Sequence, residues 1–202
     1  MFQYLYLAHW GSKLVLARVG QPTCAKIYIM ESESQYIPKL EKPPVLFHAT
    51  RNSDIEIFEP RSEKTRNEFE GPKVFGTPSR ALAGIFLVES DDSWVQSGIM
   101  DEVPYIIISD EERYRNLDNG GAVYSLPNDT FDNDPEKGLR EFEWTSNERV
   151  RPTEKEVVPS ALNDMLAHGV RIYFVSKETY RDILDSPDNS ESIIKGLIPY
   201  VG

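Results

Sequence analysis

The chain has 202 residues with a formal net charge of −11, and 40% of its residues are hydrophobic, which supplies core material for one domain with an appendage. The acidic balance argues against a non-specific grip on nucleic acid, because that grip needs Lys and Arg against phosphates. The single cysteine, Cys24, excludes a disulfide framework and a cysteine-based zinc site, and it fits a reducing cytoplasm. No apolar run approaches the roughly 18 residues of a membrane helix, and the N-terminal residues lack the pattern of a signal peptide. We therefore expect a cytoplasmic protein without a membrane partner.

The beginning of the chain has the composition of β-strands. The stretches FQYLYLAHW, KLVLARV and AKIYIM are rich in Tyr, Leu, Val and Ile, and turn residues separate them. The charged, proline-bearing stretch ESESQYIPKLEKPP follows and is typical of a connector. The sequence predicts a strand-rich N-terminal extension over residues 1–42 and a separate domain over residues 43–202.

The second unit alternates short strands with a few helices. The predicted strands are VLFHAT, KVFGT, YIIIS, GAVYSLP, LREFEWTS, PTEKEVV and VRIYFVS, and the predicted helices are PSRALAGIFLVES, Pro159–His168 and KETYRDILD, with SDEERYRN as a short charged helix or turn. Many short strands with few helices indicate an α+β fold rather than a doubly wound sheet.

The helix after KVFGT has the strongest start signal. Thr77 is the expected N-cap, and Pro78 occupies the expected first turn. The start of this helix is a candidate phosphate site. The chain has neither a Walker lysine nor a GxGxxG motif, so P-loop and dinucleotide-fold functions are weakly supported. It has no GxSxG motif, so a serine-hydrolase function is weakly supported as well. The expected apolar stripe of the helix consists of Ala81, Leu82, Ile85 and Phe86.

Only one of the three histidines ends a predicted strand beside small polar residues. His168 comes just before a helix-ending glycine, where a capping role is expected. His9 lies in the first predicted strand and is expected to be structural. His48 lies near the end of VLFHAT, two positions before Thr50, so it presents an imidazole to a ligand or simply belongs to a strand exit. Three scattered histidines make no metal site.

Two glutamates stand two positions apart in LREFEWTS, which alternates as a half-buried strand does. Glu141 and Glu143 are therefore expected on one face, with Phe142 and Trp144 facing the core. Because two carboxylates on one face repel each other, a solvated face is one interpretation. A cleft in which one of the two glutamates has a catalytic role is the other.

Three motifs thus follow one another in the chain: His-x-Thr at 48–50, Val-Phe-Gly-Thr at 74–77 before an alanine-bearing helix, and Glu-x-Glu at 141–143. This order resembles the ADP-ribosyltransferase superfamily, which includes poly(ADP-ribose) polymerases, bacterial ADP-ribosylating toxins, rifamycin-modifying transferases and, more distantly, RNA 2′-phosphotransferases. The resemblance spans residues 45–175. It implies split sheets, mixed or antiparallel, with a few helices, and it implies NAD as a substrate.

The resemblance also implies roles for the matched residues. His48 would bond a ribose hydroxyl of NAD, and Thr50 would bond the adenosine-side ribose. Ala49 stands where the family has glycine, and its backbone would bond the nicotinamide carboxamide while its methyl crowds that wall. Phe75, which stands where the family has a stacking tyrosine, would wall the nicotinamide together with Phe86.

A glutamate completes the implied site. Glu143, or Glu141 if the register slips by one same-face step, would bond the 2′-hydroxyl of the nicotinamide ribose and stabilise the positive charge that develops there. Glu148 in SNERV is a third candidate with a lower rank. Arg61 or Arg51 would reach the pyrophosphate.

The resemblance implies transfer of ADP-ribose from NAD to an acceptor, which is a protein or a small molecule rather than nucleic acid. In the family, the Glu-x-Glu form is associated with arginine acceptors. An RNA 2′-phosphotransferase on the same fold is the first alternative, and it would need a basic cleft. A non-catalytic binding or regulatory protein is the second, which the departures at Ala49 and Phe75 favour.

Overall fold

The computed structural model describes residues 40–61, 71–134 and 138–202, together with the backbone of three strands near the N-terminus. The contacts divide the chain into residues 1–39 and residues 40–202. In the first unit, β1 (Leu5–Trp10), β2 (Lys13–Arg18) and β3 (Tyr28–Met30) form an antiparallel sheet in sequence order. The predicted strand residues 2–4 and 25–27, and the polar passage at 62–70, lie outside the described residues.

The second unit contains both strands and helices, and its α+β class is as predicted. Its strands are β4 (Leu46–Thr50), β5 (Val74–Gly76), β6 (Val95–Met100), β7 (Val103–Ile108), β8 (Gly121–Leu126), β9 (Asp132–Asn133), β10 (Trp144–Ser146), β11 (Glu154–Val158) and β12 (Arg171–Phe174). Its helices are α1 (Arg80–Gly84), α2 (Glu111–Leu117), α3 (Ala161–Ala167), α4 (Lys177–Asp185) and α5 (Ser190–Lys195).

Three small sheets organise this unit. One has the order β11-β8-β4 and another the order β5-β10-β9, and both are antiparallel. The third has the order β12-β7-β6, in which β12 runs parallel to β7 and β6 runs antiparallel to it. A bridge between Phe47 and Thr77 joins the edge of β4 to the end of β5, so the first two sheets meet at one residue pair.

The two faces of β4 contribute to different hydrophobic clusters, as alternation along a strand requires. Leu46 packs with Phe58, Tyr124 and Trp144 in one cluster. Ala49 lies in another cluster, which contains residues of α1 and α3, and Phe47 packs against it. The strand is therefore covered on both sides, which holds its backbone in place.

The first helix of the second unit differs from the sequence-based expectation. Its N-cap is Ser79, whose hydroxyl accepts a hydrogen bond from Leu82 N at 3.1 Å, whereas the backbone of Thr77 pairs with Phe47. Pro78 therefore lies before the helix rather than in its first turn. The α-helix ends at Gly84 and continues as a 3-10 turn, whose tighter winding places Phe86 outside the apolar stripe with 53% of its surface exposed.

The strand β6 and the helix α5 were not predicted. The hairpin between β6 and β7 shows why β6 was missed. Its two turn residues, Asp101 and Glu102, have φ angles of 52° and 62°. A two-residue turn in which both residues have a positive φ is usually indicated in the sequence by Asn-Gly or Asp-Gly. Neither pair occurs at this turn. Gly98 inside β6 admits the Tyr105 side chain, because a Cβ there would lie 2.7 Å from Tyr105 Oη. That requirement arises only from the pairing with β7.

Within the described part of the chain, no helix combines the length and apolar composition that a bilayer crossing demands.

We expect Gly120→Ala to lower the free energy of unfolding by about 2–4 kcal/mol, through left-handed strain plus overpacking. Gly120 has a φ of +66°, and an added Cβ would lie 2.0 Å from the carbonyl oxygen of Val158. Gly169→Ala is the matched control, because Gly169 has a φ of +77° but no atom within 4 Å of an added Cβ. Urea denaturation of both variants measures the difference, and equal losses would contradict the steric explanation.

Candidate functional site

Two of the three sequence motifs lie on neighbouring strands, and the third directly precedes a strand beside them. Phe47 and Thr77 exchange two backbone hydrogen bonds of 2.7 and 2.9 Å, which places the histidine strand beside β5. On its other side β5 pairs with β10, with Gly76 opposite Trp144 and Phe75 opposite Thr145. The histidine motif, the Val-Phe-Gly-Thr motif and the strand that follows Glu143 therefore adjoin in space.

The pairing between β4 and β5 stops after one residue pair. In an antiparallel pair, the partners two steps beyond Phe47 and Thr77 are Ala49 and Phe75. The Phe47–Thr77 pair is an isolated bridge, so Ala49 and Phe75 do not continue it. The carbonyl oxygen of Phe75 instead lies 2.8 Å from His48 Nδ1. A side-chain hydrogen bond thus takes the place of the next backbone pair. The two strands separate at Ala49 and Phe75, and we call this point the split.

The split leaves the peptide groups of Ala49 on the side of β4 that faces away from β8. Because Phe47 bonds toward β5, the alternation of the strand directs the N–H and C=O of Ala49 to the same side. Its methyl packs in the cluster with α1, and only 8% of the residue is exposed. The core therefore accommodates the Ala49 side chain. Thr50 ends the strand, and its hydroxyl accepts a hydrogen bond from Asn52 N at 3.3 Å.

A hydrogen bond to a backbone carbonyl determines which nitrogen of the His48 imidazole carries a proton. A carbonyl oxygen only accepts, so Nδ1 of His48 must carry the proton that it donates to Phe75 O. The ring also stacks at 57° against Phe58, with 4.6 Å between the ring centroids.

The glutamates do not share a strand face, contrary to the expectation from LREFEWTS. Residues Arg140–Phe142 form a 3-10 turn and the strand begins only at Trp144, so Glu141 is exposed and Glu143 is half-buried. Phe142 and Trp144 accordingly pack into different clusters. Alternation fails because the residues before 143 wind as a helix rather than extend.

Glu143 itself has a firmly held backbone. Its carbonyl accepts a 2.7 Å hydrogen bond from Asn133 Nδ2, and its N–H donates to Arg140 O at 3.1 Å. Asn133 Nδ2 also lies 2.6 Å from Arg140 O, which fastens a residue with a positive φ of 52°. The register of β5 and β10 ends at Trp144 opposite Gly76, so Glu143 directly precedes the paired strand.

Phe75 lies between the histidine motif and β10. Its carbonyl oxygen lies 2.8 Å from His48 Nδ1, and its backbone pairs with Thr145 of β10. Phe86 lies exposed on the 3-10 turn after α1, available for stacking. Arg61 is exposed, and its backbone pairs with Lys73.

A charged cluster lies on the Phe47 side of the first sheet, and the sequence motifs did not predict it. Arg80 donates to both carboxylate oxygens of Asp164 at 2.9 and 2.7 Å and to Glu156 at 3.0 and 2.8 Å. Burial acts to lower the pKa of the Arg80 guanidinium, but the hydrogen bonds to Asp164 and Glu156 outweigh it and raise that pKa above its ordinary value. His168 caps α3 as predicted, with Nδ1 2.9 Å from Asp164 O.

The cluster borders an open hollow of about 250 Å³. The hollow is lined by Phe47, Arg80, Val123, Ser125, Glu154, Lys155, Glu156 and His168. A single arginine on a short helix gave no signal for this arrangement, since its carboxylate partners lie more than seventy residues later in the chain. Because Arg80 is committed to two carboxylates, it is poorly placed to form part of a basic RNA cleft.

Among the residues that the structure describes, no group of three or more His, Cys, Asp or Glu side chains is placed to hold a metal ion. Comparison with protein-family models, with curated proteins and with solved structures finds no match to this chain.

Proposed function

We propose that this chain is an NAD-dependent ADP-ribosyltransferase-like enzyme, with the split-sheet fold that the motif order implies over residues 43–202 and a strand-rich extension before it. The observation that carries the proposal is the split between β4 and β5. There the strand ladder is interrupted at Ala49 and Phe75, and the His48 side chain bonds the carbonyl that Ala49 would otherwise meet. Peptide groups that do not continue the β4–β5 ladder, beside an imidazole bonded to Phe75, suit a ligand that carries both an amide and a ribose.

The proposed binding mode follows from the chemistry of each group. The carboxamide of nicotinamide has a donor and an acceptor, which complement the C=O and N–H of Ala49. Nε2 of His48 accepts a ribose hydroxyl, and Thr50 supports the adenosine-side ribose. Phe75 and the exposed Phe86 offer aromatic surface to the nicotinamide ring.

The proposed reaction breaks the bond between C1′ of the ribose and N1 of nicotinamide. The bonding electron pair leaves with nicotinamide, which becomes neutral, and the ribose acquires positive charge until an acceptor nucleophile attacks C1′. A carboxylate fixed beside the 2′-hydroxyl stabilises that charge, and Glu143 is the group that we assign to it. Arg61 is assigned to the pyrophosphate.

The acceptor is a protein or small-molecule nucleophile in this proposal. The arginine acceptors associated with Glu-x-Glu are weakly supported, because Glu141 lies on a 3-10 turn and does not share a strand face with Glu143. The same observation favours one second function, the binding of NAD or a related nucleotide without transfer. The phosphotransferase alternative is disfavoured, because Arg51 pairs with Glu89 and Arg80 with Asp164 and Glu156.

We expect the full-length protein to bind NAD and to release nicotinamide, and His48→Ala to weaken NAD binding about tenfold, which corresponds to one lost hydrogen bond. His168→Ala is the matched control, since that histidine caps α3 and its Nδ1 lies against Asp164 O rather than Phe75 O. Calorimetry measures NAD binding, and chromatography measures nicotinamide, with cell lysate supplying acceptors. Binding without release indicates the second function. Absence of binding by the unaltered protein overturns both functions.

A further inference from the structure

The strand β6 is the outer strand of its sheet. It pairs on one side with β7, and among the described residues no strand or isolated bridge pairs with its other side. Ser109 N donates to Trp94 O, so the peptide groups of Trp94 and of every second residue after it point toward β7. The same alternation directs the N–H and C=O groups of Ser97 and Ile99 away from the sheet. We call this row of peptide groups the β6 edge.

The other sheet edges in the described part of the second unit are short, bridged or charged. β9 has two residues and β5 has three, and bridges join β4 to the end of β5 and Tyr200 to β12. β11 has charged side chains at residues 154–156. Such features prevent an edge from pairing with another chain. β6, with six residues and the sequence VQSGIM, has neither a charge nor a proline.

Acidic residues stand at both ends of the β6 edge. Asp91 and Asp92 precede the strand, Asp101 and Glu102 form the turn that follows it, and all four are exposed. If a second copy of the chain paired with β6, its carboxylates would meet these in either strand direction, because both ends carry the same charge. The net charge of −11 adds to this repulsion. A second copy is therefore a poor partner for this edge.

Two cations near the β6 edge offset only part of this charge. Arg113 Nη2 lies 3.7 Å from Asp91 Oδ2, and Lys195 Nζ lies 3.7 Å from Asp101 Oδ1. Lys195 is shared with Glu191 at 2.5 Å. The second carboxylate at each end forms no ion pair with any residue that the structure describes. Each end of the edge thus keeps a negative charge, which a basic residue of a partner complements.

We propose that the β6 edge binds an extended segment of a partner protein, in which an uncharged run is flanked by Lys or Arg residues. The segment joins the sheet as a further strand, and its backbone exchanges hydrogen bonds with Ser97 and Ile99. Its basic residues lie beside Asp92 at one end and Glu102 at the other. This interaction does not depend on the proposed function, because no residue assigned to NAD lies on β6 or its turns.

The test uses the full-length protein and a synthetic peptide of about nine residues, in which alternating threonine and valine lie between pairs of lysines. The same peptide with glutamates in place of the lysines is the charge control. Calorimetry measures binding, and amide hydrogen exchange measures the protection of Ser97 and Ile99. We expect these amides to exchange quickly in the free protein and about tenfold more slowly with the lysine peptide. We expect the glutamate peptide to bind about tenfold more weakly at low salt.

Two variants of the protein separate backbone pairing from charge. Ser97→Pro removes an outward N–H without breaking a bond to β7, and proline is tolerated on an edge strand, so we expect binding about tenfold weaker. Asp101→Asn with Glu102→Gly removes two charges and supplies the Asn-Gly pair that the positive φ angles favour, and we expect binding about fivefold weaker. Glu56→Gln with Glu154→Gln removes the same charge from exposed residues of other segments, and we expect a change below about twofold.

Three outcomes would overturn the proposal. Slow exchange of Ser97 and Ile99 in the free protein would mean that another part of the chain or a second copy already covers the β6 edge. Peptide binding without protection of these amides, or equally tight binding by Ser97→Pro, would mean that charge alone attracts the peptide. No binding of the lysine peptide would exclude the site outright. None of these measurements uses NAD, so the proposed function stands or fails separately.

Discussion

We expect Glu143→Gln to lower the rate of nicotinamide release by about 10²–10³-fold, the loss typical of a removed electrostatic contact to a transition state. The amide retains the size and most hydrogen-bonding capacity of the carboxylate, but it has no negative charge to oppose the charge developing on the ribose. We expect NAD affinity to change much less, because the ribose of bound NAD is not yet charged.

Glu141→Gln is the matched control for this prediction. It makes the same chemical change two positions away, on an exposed residue of the 3-10 turn, and we expect a change in rate below about threefold. Single-turnover measurement of nicotinamide release separates the rate from binding. Comparable losses in the two variants would mean that both glutamates act on the ribose. A loss confined to Glu141→Gln would contradict the assignment of Glu143.

The second large effect concerns stability rather than catalysis. We expect Arg80→Leu to lower the free energy of unfolding by about 3–5 kcal/mol, because it leaves the Asp164 carboxylate buried without its counter-charge. The Asp164 side chain is only 7% exposed and the Arg80 side chain 15%. Gly84 closes the space further, since a Cβ there would lie 2.7 Å from Asp164 Oδ2.

Two comparisons make the Arg80 prediction specific. Arg149→Leu breaks an ion pair with Glu59 in which the side chains are 68% and 53% exposed, and we expect it to cost about 0–1 kcal/mol. The double variant Arg80→Leu with Asp164→Leu removes both buried charges, and we expect it to recover most of the loss. Urea denaturation measures all three. A double variant no more stable than Arg80→Leu would show that the arginine contributes through packing rather than charge.

Several strands and the α+β class could be predicted from the sequence, because strand signals are local. The runs at β4, β7, β8 and β12 combine β-branched or aromatic residues with turn residues at their ends. The cap of α3 was equally local, since His168 stands before a glycine with a φ of +77°. Each of these inferences needed only neighbouring residues.

The strand at LREFEWTS was predicted too long for a physical reason. Over so few positions, an alternation of apolar and polar residues is compatible with both an extended strand and a tight turn. Asn133, which lies on β9, bonds Arg140 O and Glu143 O and holds the turn closed. No residue within the stretch indicates that Asn133 is its partner. The side-chain amide of Asn133 therefore stabilises the turn over the strand from outside the stretch.

By itself, the sequence determined the α+β class, the order of the three motifs and the residues that carry them, because these depend on residue type and spacing alone. Only the tertiary structure decided that the ladder between β4 and β5 stops at Ala49 and Phe75, that Phe58 lies against His48, and that Glu143 directly precedes β10 whereas Glu141 lies on a 3-10 turn. The physical reason is that each of these features depends on a hydrogen bond or a ring contact between segments far apart in the chain. Such contacts form only when the sheets and the core have brought those segments together.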